Sequence, residues 1–503
     1  MSRMLLFLLA LLCPMLSLSQ SLYEARCAAC HGADRLGGMG PALLPENLSR
    51  LKKPEAARVI RDSRPGVQMP AFKAELNEQQ IAGLVELIYS PVVPAPKWGE
   101  AEIRASRVVH RQSPDLQKPR FSADPLNLFV VVEAGDHHVT ILDGDRLEPI
   151  HRFASRYALH GGPKFSPDGR YVYFASRDGW LSKYDLWGLE TLVEVRAGIN
   201  TRNAAVSSDG KYVIAANYLP HSVVVFDSDL NFLKELKTGS RVSAVYDAAP
   251  RRSFVVALKD LPELWEISYD PGAEALPAGL IHDFRMQEGA FVPGFLNPRR
   301  TRLEEVLDDF FFTPDYNQVV GAQRDGRRGQ VVHLDVRRAI ATLELPGLPH
   351  LGSGITWERD GRRVMATPNL RDGVVTVLDV ATWKTLKQVP TLGPGFFLRS
   401  HEASRYAWVD SMMSPQGRDT LQLIDKQTLE VVARLTPEPG KTLAHVEFDR
   451  HGRYALASLW EHDGALIVFD AATLKEVKRI PMKKPVGKYN VGNKIRRAEG
   501  TSH

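Results

Sequence analysis

Two cysteines and a histidine stand together near the start of the chain, in the segment Cys27-Ala28-Ala29-Cys30-His31. This spacing is that of covalent c-type haem attachment: two thiols one helical turn apart add to the haem vinyl groups, and the adjacent histidine faces the iron. A zinc knuckle or a redox dithiol would use the same two cysteines. However, the sequence has no second cysteine pair, and a redox dithiol does not need the histidine. We therefore predict one haem c, bound by Cys27 and Cys30 with His31 on the iron.

A sixth iron ligand is expected from a methionine further along the chain. Met69 precedes Pro70, and a proline there keeps the preceding residue extended, so that a thioether can reach the iron from a loop. Met39 is the alternative. It follows His31 by only eight residues, in a glycine-rich loop better suited to wrapping the haem edge. We predict Met69 as the ligand.

A second group of candidate residues is spread over the rest of the chain. His160, Arg202, His350 and His445 each lie six to ten residues before a turn motif of the Asp-Gly type or its equivalent. The two histidines His160 and His350 stand in segments rich in glycine and proline, which let the backbone approach a large ligand closely. Arginines bind carboxylates, and those that could bind a carboxylate ligand here are Arg156, Arg177, Arg202 and Arg399.

These candidates lie at similar distances before a turn because the chain consists of repeated units after its first quarter. Similar units of strand, hairpin turn, second strand and third strand ending in Asp start near residues 123, 165, 206, 248, 312, 357, 400 and 448. The steps are close to the roughly 40–45 residues of a four-stranded propeller blade. The longer step after residue 248 indicates an insertion over about Asp270 to Glu305. Eight units predict a closed β-propeller, whereas a solenoid is disfavoured by the many glycine turns and the lack of helical repeats.

The propeller fold explains why the position of a residue relative to the hairpin turn of its repeat matters. The innermost strand of each blade precedes the hairpin turn and borders the central channel, so residues shortly before the turn approach one axis. We therefore expect His160, Arg202, His350 and His445 to converge on one mouth of the channel.

The composition excludes several classes of protein. With 24% charged residues, 8% aromatic residues and a mean hydropathy of −0.21, the 503-residue chain is neither disordered nor a polytopic membrane protein. A net charge of +5 over this length gives no argument for nucleic-acid binding. Three cysteines are too few for a disulfide framework.

The first residues have the pattern of an export signal. A basic start, an apolar run from Met4 to Leu18 and small residues at its end predict a signal peptide over 1–19, and the run is shorter than a membrane span. Cys13 lies inside it, and Leu12 before it disfavours a lipid anchor. We predict a periplasmic protein with an all-α cytochrome c domain (20–92), a proline-containing linker (93–115) and an all-β eight-bladed propeller (116–503), with no transmembrane segment.

With the haem motif in front of such a propeller, the chain resembles the cytochrome cd1 family over essentially its whole mature length. The segments that carry the resemblance best are 157–160, 176–187, 348–350 and 487–493. The resemblance implies a haem d1, or its dihydro precursor, bound without covalent bonds in the propeller. It places His160 at the proximal iron ligand and His350 at one of two distal histidines that bind and protonate nitrite. The second distal histidine is missing, because Phe310-Phe311-Phe312-Thr313-Pro314 stands where the family has a His-Asp-Gly segment.

This departure argues against nitrite reduction, which consumes two protons. It points to the branch of the family that completes haem d1 biosynthesis by oxidising a propionate side chain of dihydro-haem d1 to an acrylate, with electrons passing to haem c. For that reaction we predict His445 as the base, Tyr489 as its helper or as a carboxylate ligand, and His350 as a contact of the iron or the ring. A cytochrome cd1 nitrite reductase and a non-catalytic haem d1 carrier remain alternatives. The expected partners are the nitrite reductase, as recipient of haem d1, and a periplasmic electron acceptor.

Overall fold

The computed structural model describes residues 18–49, 51–63, 69–112, 116–159, 162–277, 291–323, 328–497 and 500. The predicted signal peptide with Cys13 lies outside these residues, apart from positions 18 and 19, and so does His160. Within the described ranges, no helix combines the length and the apolar character needed to cross a membrane.

The N-terminal part of the chain is helical, as the haem motif predicts. Its helices are α1 (residues 18–26), α2 (Ala28–His31), α3 (Pro45–Leu48), α4 (Lys53–Asp62) and α5 (Glu78–Ile88). Helix α5 begins after Asn77, whose side chain accepts a hydrogen bond from the backbone N–H of Gln80, while the Gln80 side chain accepts from that of Asn77, both at 2.9 Å. The apolar residues of α5 recur at helical spacing and pack on Tyr23 and Ile60 of the earlier helices.

A short connecting segment ties this helical part to the propeller. It contains helix α6 (Glu100–Ser106) and strand β1 (Val108–Val109), which pairs with the outer strand of a blade. The indole Nε1 of Trp98 donates to the carbonyl oxygen of Arg196 at 3.1 Å, and the Arg196 guanidinium lies over the Trp98 ring at 4.6 Å. Asn200 of the propeller also donates to the Asn47 side chain at 3.2 Å. The helical part is therefore held against one face of the propeller.

Within the described ranges, eight antiparallel blades of four strands form the rest of the chain, one of them extended to five strands by β1. This confirms the predicted all-β eight-bladed propeller after an all-α segment. The strands of the first four blades in chain order are β2 (Leu128–Glu133), β3 (His138–Asp143) and β4 (Glu148–Ala154); β5 (Lys164–Phe165), β6 (Tyr171–Ala175), β7 (Trp180–Asp185) and β8 (Glu190–Arg196); β9 (Asn200–Val206), β10 (Tyr212–Leu219), β11 (Ser222–Asp227) and β12 (Phe232–Lys237); and β13 (Val242–Ala248), β14 (Ser253–Leu258), β15 (Glu263–Ser268) and β18 (Pro298–Arg302). A small hairpin, β16 (Leu276–Pro277) and β17 (Phe291–Val292), is inserted before β18.

The remaining blades have the same order of strands. They are β19 (Asp309–Phe312), β20 (Gln318–Ala322), β21 (Gly329–His333) and β22 (Arg338–Leu343); β23 (Ile355–Arg359), β24 (Arg362–Pro368), β25 (Val374–Asp379) and β26 (Thr385–Pro390); β27 (Leu398–Arg399), β28 (Tyr406–Val409), β29 (Leu421–Asp425) and β30 (Val431–Leu435); and β31 (Leu443–Phe448), β32 (Tyr454–Leu459), β33 (Gly464–Asp470) and β34 (Glu476–Met482). The core lies between successive blades, where large apolar side chains such as Phe226, Trp265 and Trp408 are buried.

The aspartate that ends most third strands has a local structural role. The Asp143 carboxylate accepts the backbone N–H groups of Asp145 and Arg146, at 2.8 and 3.1 Å. Asp425 accepts that of Thr428 in the same way, at 2.9 Å. An aspartate can satisfy turn N–H groups that a strand would otherwise leave unpaired. This explains why the repeat could be recognised from these aspartates.

The ring closes by a strand from the far end of the chain. Strand β35 (Pro485–Asn490) is the innermost strand of the blade formed by β2 to β4, and Tyr489 pairs there with Val130. Helix α7 (Val491–Arg496) follows directly, and its Asn493 donates to the carbonyl oxygen of Phe448 at 3.0 Å. The first and last parts of the propeller therefore share one blade.

The predicted insertion is smaller than expected. Its start near Asp270 agrees with the end of β15, but its predicted end at Glu305 is wrong because β18 is the outer strand of the blade and pairs with β15. The outer strand is mostly polar and partly exposed, so it lacks the apolar alternation that marks the inner strands.

Candidate functional site

The haem c motif is folded as covalent attachment requires. Cys27 and Cys30 flank one turn at α2, and neither forms a disulfide. The Nδ1 of His31 lies 2.8 Å from the carbonyl oxygen of Pro41. A carbonyl accepts only, so Nδ1 carries the proton and Nε2 keeps its lone pair for iron. A Cβ at Gly40 would lie 2.6 Å from the His31 ring, so this loop passes as close as only glycine permits. These residues fit a c-type haem.

The two methionine candidates differ in position. Met69 packs against the apolar core of the helical part, and its carbonyl oxygen accepts a hydrogen bond from the Ser63 hydroxyl at 2.5 Å. Met39 is 57% exposed. A thioether that faces the core is better placed to reach a haem than one in solvent, so the prediction of Met69 as the sixth ligand is kept.

The propeller encloses a cavity of about 440 Å³ on its central channel. Residues of several innermost strands and of α7 line it, among them Gly162, Lys164, Tyr246, Phe311, Tyr489 and Lys494. His160 lies outside the described residues, but Gly162, two positions further on, lines the cavity. Phe311 and Phe312 also line it, so the segment that replaces the second distal histidine presents aromatic rings without a proton to donate.

Tyr489 lines this cavity, and His445 packs against the Tyr489 ring but is not itself among the residues that line the cavity. Their ring centroids are 5.3 Å apart and the His445 ring meets Tyr489 edge to face. His445 is 1% exposed, and its Nε2 is a buried nitrogen with no hydrogen-bond partner in the described part of the chain. Burial, and then the charges of Lys488 and Arg399, hold the pKa of His445 well below its ordinary value. Burial raises the pKa of Tyr489 to about 12. At neutral pH the pair is a neutral imidazole beside a protonated phenol.

His350 stands on the neighbouring side of the channel. Its Nδ1 lies 2.7 Å from the carbonyl oxygen of Phe396, which leaves Nε2 for another partner. Burial lowers the pKa of His350, Asp309 opposes this, and the charges of Arg399 and Arg202 lower it further. The rings of His350 and His445 both lie near the Phe397 ring, with centroids 6.4 and 4.6 Å from it. Arg399 lowers the pKa of both histidines and Arg202 that of His350. The convergence of all four residues stays a prediction, because His160 lies outside the described residues.

Of the four predicted arginines, Arg202 and Arg399 both lower the pKa of His350, whereas Arg156 and Arg177 lie elsewhere. Arg399 is buried beside His445, and its Nε has no hydrogen-bond partner in the described ranges. By contrast, Arg156 forms two hydrogen bonds to Glu194, at 2.8 and 2.6 Å, and its guanidinium lies 3.8 Å over the Trp180 ring. Arg177 lines a different cavity of about 370 Å³, between the helical part and the propeller. Neither Arg156 nor Arg177 lines the channel cavity, so their predicted role in cofactor binding stays a prediction.

Two buried charged residues at this site were missed from the sequence. Lys488 is fully buried and donates to the carbonyl oxygen of His445 and to Ser458. Asp410 is buried behind the segment that includes Phe396 and accepts its backbone N–H at 2.8 Å. Lys488 stands next to Tyr489 in a segment that the resemblance had marked, which was a usable signal. Asp410 carried none, because its contacts are with backbone groups of other elements.

The haem c motif lies near the predicted d1 site. Burial, then Asp178, then Cys30 raise the pKa of the Tyr157 hydroxyl. Tyr157 is three residues before His160 in the sequence. The attachment cysteine is therefore close to the segment where the proximal ligand is predicted.

Comparison with known proteins identifies the family. Residues 123–494 match the family described as cytochrome D1 heme domain, and residues 16–88 match the cytochrome C oxidase, cbb3-type, subunit III family. The chain belongs to the cytochrome D1 haem domain family. Dihydro-haem d1 dehydrogenase of Pseudomonas aeruginosa is 54% identical over 492 residues, covering 96% of this chain and 95% of that protein. Nitrite reductase of Stutzerimonas stutzeri is 24% identical over 532 residues, covering 94% of this chain and 92% of the reductase.

A solved structure adds to this cytochrome D1 family relationship. The structure of dihydro-haem d1 dehydrogenase NirN in complex with DHE is 54% identical, covers 95% of this chain and all of that chain, and superposes with a TM-score of 0.86. The predicted resemblance, nearer to the dehydrogenase branch than to nitrite reductase, is confirmed. The prediction of an oxidoreductase with one haem c and a haem d1-type group is confirmed as well.

Proposed function

We propose that the protein is a periplasmic dehydrogenase of haem d1 biosynthesis, which oxidises a propionate side chain of dihydro-haem d1 to the acrylate of haem d1. One observation carries the proposal: Tyr489, a protonated tyrosine, lines the channel cavity, and behind it lies the buried neutral His445, whose Nε2 has no hydrogen-bond partner among the described residues. The 54% identity to a dihydro-haem d1 dehydrogenase supports the same reaction.

The cavity supplies the means to hold a carboxylate. Tyr489 lines it with a phenol whose pKa of about 12 keeps it protonated, so it donates a hydrogen bond rather than accepting a proton. Lys164 also lines it and has no carboxylate within ion-pair distance in the described part of the chain. Burial, and then Lys494, lower the pKa of Lys164 to about 8. An anionic substrate group would therefore stabilise the cationic form of Lys164, whereas Lys494 already pairs with Glu447 at 3.3 Å.

His445 is the base in this proposal. Oxidation of the side chain removes two electrons and two protons. Nε2 of His445 accepts one proton from a side-chain carbon, and the second proton passes to solvent water as the electrons leave. A low pKa keeps this nitrogen deprotonated over the neutral range, at the cost of basicity. His350, with Nε2 free and Nδ1 fixed by Phe396, contacts the ring or the iron of the substrate.

The electrons leave through the helical part. Haem c, when bound by Cys27, Cys30 and His31, supplies a one-electron acceptor close to the propeller. Two electrons per substrate then require two successive deliveries to a periplasmic electron acceptor. The docked position of the helical part, held by Trp98 and Arg196, keeps this route short.

Nitrite reduction is less well supported. It needs two protons delivered to nitrite, and the wall formed by Phe311 and Phe312 donates none. We further propose that the signal-like residues 1–19 direct export to the periplasm, and that the product haem d1 passes to the cytochrome cd1 nitrite reductase of the denitrifying cell.

The test uses the purified protein loaded with haem c. Incubation with dihydro-haem d1 and an electron acceptor should give a product two hydrogens lighter, followed by mass spectrometry and absorption. His445→Ala should abolish turnover while retaining substrate binding, and His462→Ala, in an exposed turn, is the matched control. A carrier would bind and transfer the group unchanged in His445→Ala. A reductase would be isolated with haem d1 and turn over nitrite, and either result would overturn the proposal.

A further inference from the structure

His445 lies in an unusual backbone conformation for a residue inside a strand. Its φ is +48°, in the left-handed region, and the pairing of β31 with β32 shifts register between Ala444 and Val446. His445 is therefore the extra residue of a β-bulge, and its own N–H and C=O are not used in the sheet ladder. A non-glycine residue in this region is strained and persists only where its surroundings hold it there.

Two buried ionisable side chains hold these two backbone groups. The Asp410 carboxyl group accepts the backbone N–H of His445, and Lys488 donates from Nζ to the His445 carbonyl oxygen. Both side chains are buried, at 1% and 0% exposure. Burial raises the pKa of Asp410 to about 6 and lowers the pKa of Lys488 well below its ordinary value. Burying polar groups is costly unless they are hydrogen-bonded, so their use on one bulged residue calls for a role.

Asp410 also reaches the second histidine of the site. It accepts the N–H groups of Phe396 at 2.8 Å and of Phe397 at 3.0 Å. The carbonyl oxygen of Phe396 is the group that fixes Nδ1 of His350. The Phe397 ring packs on the His445 ring, with centroids 4.6 Å apart. One carboxylate thus connects the backbones that orient both histidines.

We propose that Asp410 and Lys488 are positioning residues for the oxidation: they clamp the His445 bulge from its two backbone groups, and Asp410 aligns it with His350 through Phe396 and Phe397. This rests on the proposed role of His445 as the base. The clamp acts on orientation and touches no substrate, so its loss lowers the rate of the chemical step and leaves substrate affinity unchanged. A displacement of about 1 Å in a reacting group can cost roughly 100-fold in rate.

The experiment compares substrate affinity with the single-turnover rate in the haem c-loaded protein. Asp410→Asn is isosteric, but its amide nitrogen donates where the carboxylate accepted. We expect a single-turnover rate about 10- to 100-fold lower, with a dissociation constant for dihydro-haem d1 within twofold of the wild type. Asp379→Asn is the matched control, since Asp379 is a buried carboxylate that accepts the backbone N–H of Thr382 on an outer turn of another blade. It should change neither quantity.

A second variant covers the case in which Asp410→Asn does not accumulate as folded holoprotein. Lys488→Met keeps the volume, removes the donor to the His445 carbonyl and should give the same split between rate and affinity. The clamp is wrong if the folded variant keeps the wild-type rate, or if rate and affinity fall together. His445→Ala, measured in the same experiment, separates the two proposals. A wild-type rate in His445→Ala overturns the role of His445 as the base. A lost rate in His445→Ala together with a wild-type rate in Asp410→Asn overturns only the positioning role of Asp410 and Lys488.

Discussion

Replacing Tyr489 by phenylalanine should weaken substrate binding through a single missing hydrogen bond. The Tyr489 ring packs closely on Gly162, since a Cβ added to this glycine would lie only 3.0 Å from a ring carbon. A phenyl ring fits the same space. Phenylalanine keeps that packing and removes the hydroxyl alone. A hydrogen bond to a charged group contributes about 1.5–3 kcal/mol. At about 1.4 kcal/mol per tenfold, the dissociation constant for dihydro-haem d1 should rise about 10- to 150-fold.

The assay is an absorption titration of the haem c-loaded protein with dihydro-haem d1. Tyr173→Phe is the control: the Tyr173 hydroxyl donates to the carbonyl oxygen of Ser228 at 2.7 Å, away from the channel, so this change should cost about 1 kcal/mol of stability and leave binding unchanged. A dissociation constant for Tyr489→Phe within twofold of the wild type would refute the carboxylate role. An unchanged constant with a slower single turnover would instead assign Tyr489 to assisting His445.

Three further predictions follow from the site. Lys164→Met should weaken binding of dihydro-haem d1 about tenfold in the same titration, because it removes a cation that lines the cavity and forms no ion pair with a carboxylate of the described residues. Met69→Ala should change the absorption spectrum and reduction potential of haem c, and Met39→Ala should change neither. The pKa of His445 lies well below 6.5, so the stability that depends on its neutral ring is complete above pH 6.5 and lost as the pH falls below it. The free energy of unfolding, measured with denaturant, should therefore fall as the pH is lowered below 6.5. In His445→Gln this slope should be smaller, by up to about 1.4 kcal/mol per pH unit.

The fold could be predicted because its repeat leaves local marks. The hairpin turns and the aspartates that cap the outer turns, such as Asp143 and Asp425, recur at blade spacing. The pairing of β35 with β2, which closes the ring, could not be predicted in this way. Strand β35 pairs Tyr489 with Val130 across most of the chain, and no short-range pattern specifies a partner so distant. The outer strand β18 was taken for insertion because a solvent-exposed strand needs no apolar alternation.

The site could be predicted only for residues that lie at a similar sequence distance from the hairpin turns. His350 and His445 could be placed near the channel because the inner strand of each blade, and the segment just before it, border one axis. Their chemical roles stay predictions. Arg156 could not be judged, since its partner Glu194 lies 38 residues away and occupies two of its nitrogens. Asp410 was missed because it acts on backbone groups, which every residue carries and which no sequence pattern singles out.

The closing strand β35 makes the order of chain synthesis matter for function. Tyr489 and Lys488 both lie on this strand, at positions 489 and 488 of 503, whereas the haem c cysteines come within the first thirty-one positions. In the proposed export route, haem c can be attached long before the residues that complete the channel have emerged. A chain that stops before β35 would then be a competent cytochrome with an open ring and no substrate pocket. In the proposed complex, substrate contacts the strand that closes the ring, so binding would add to the stability of closure as the ligand concentration rises above the dissociation constant.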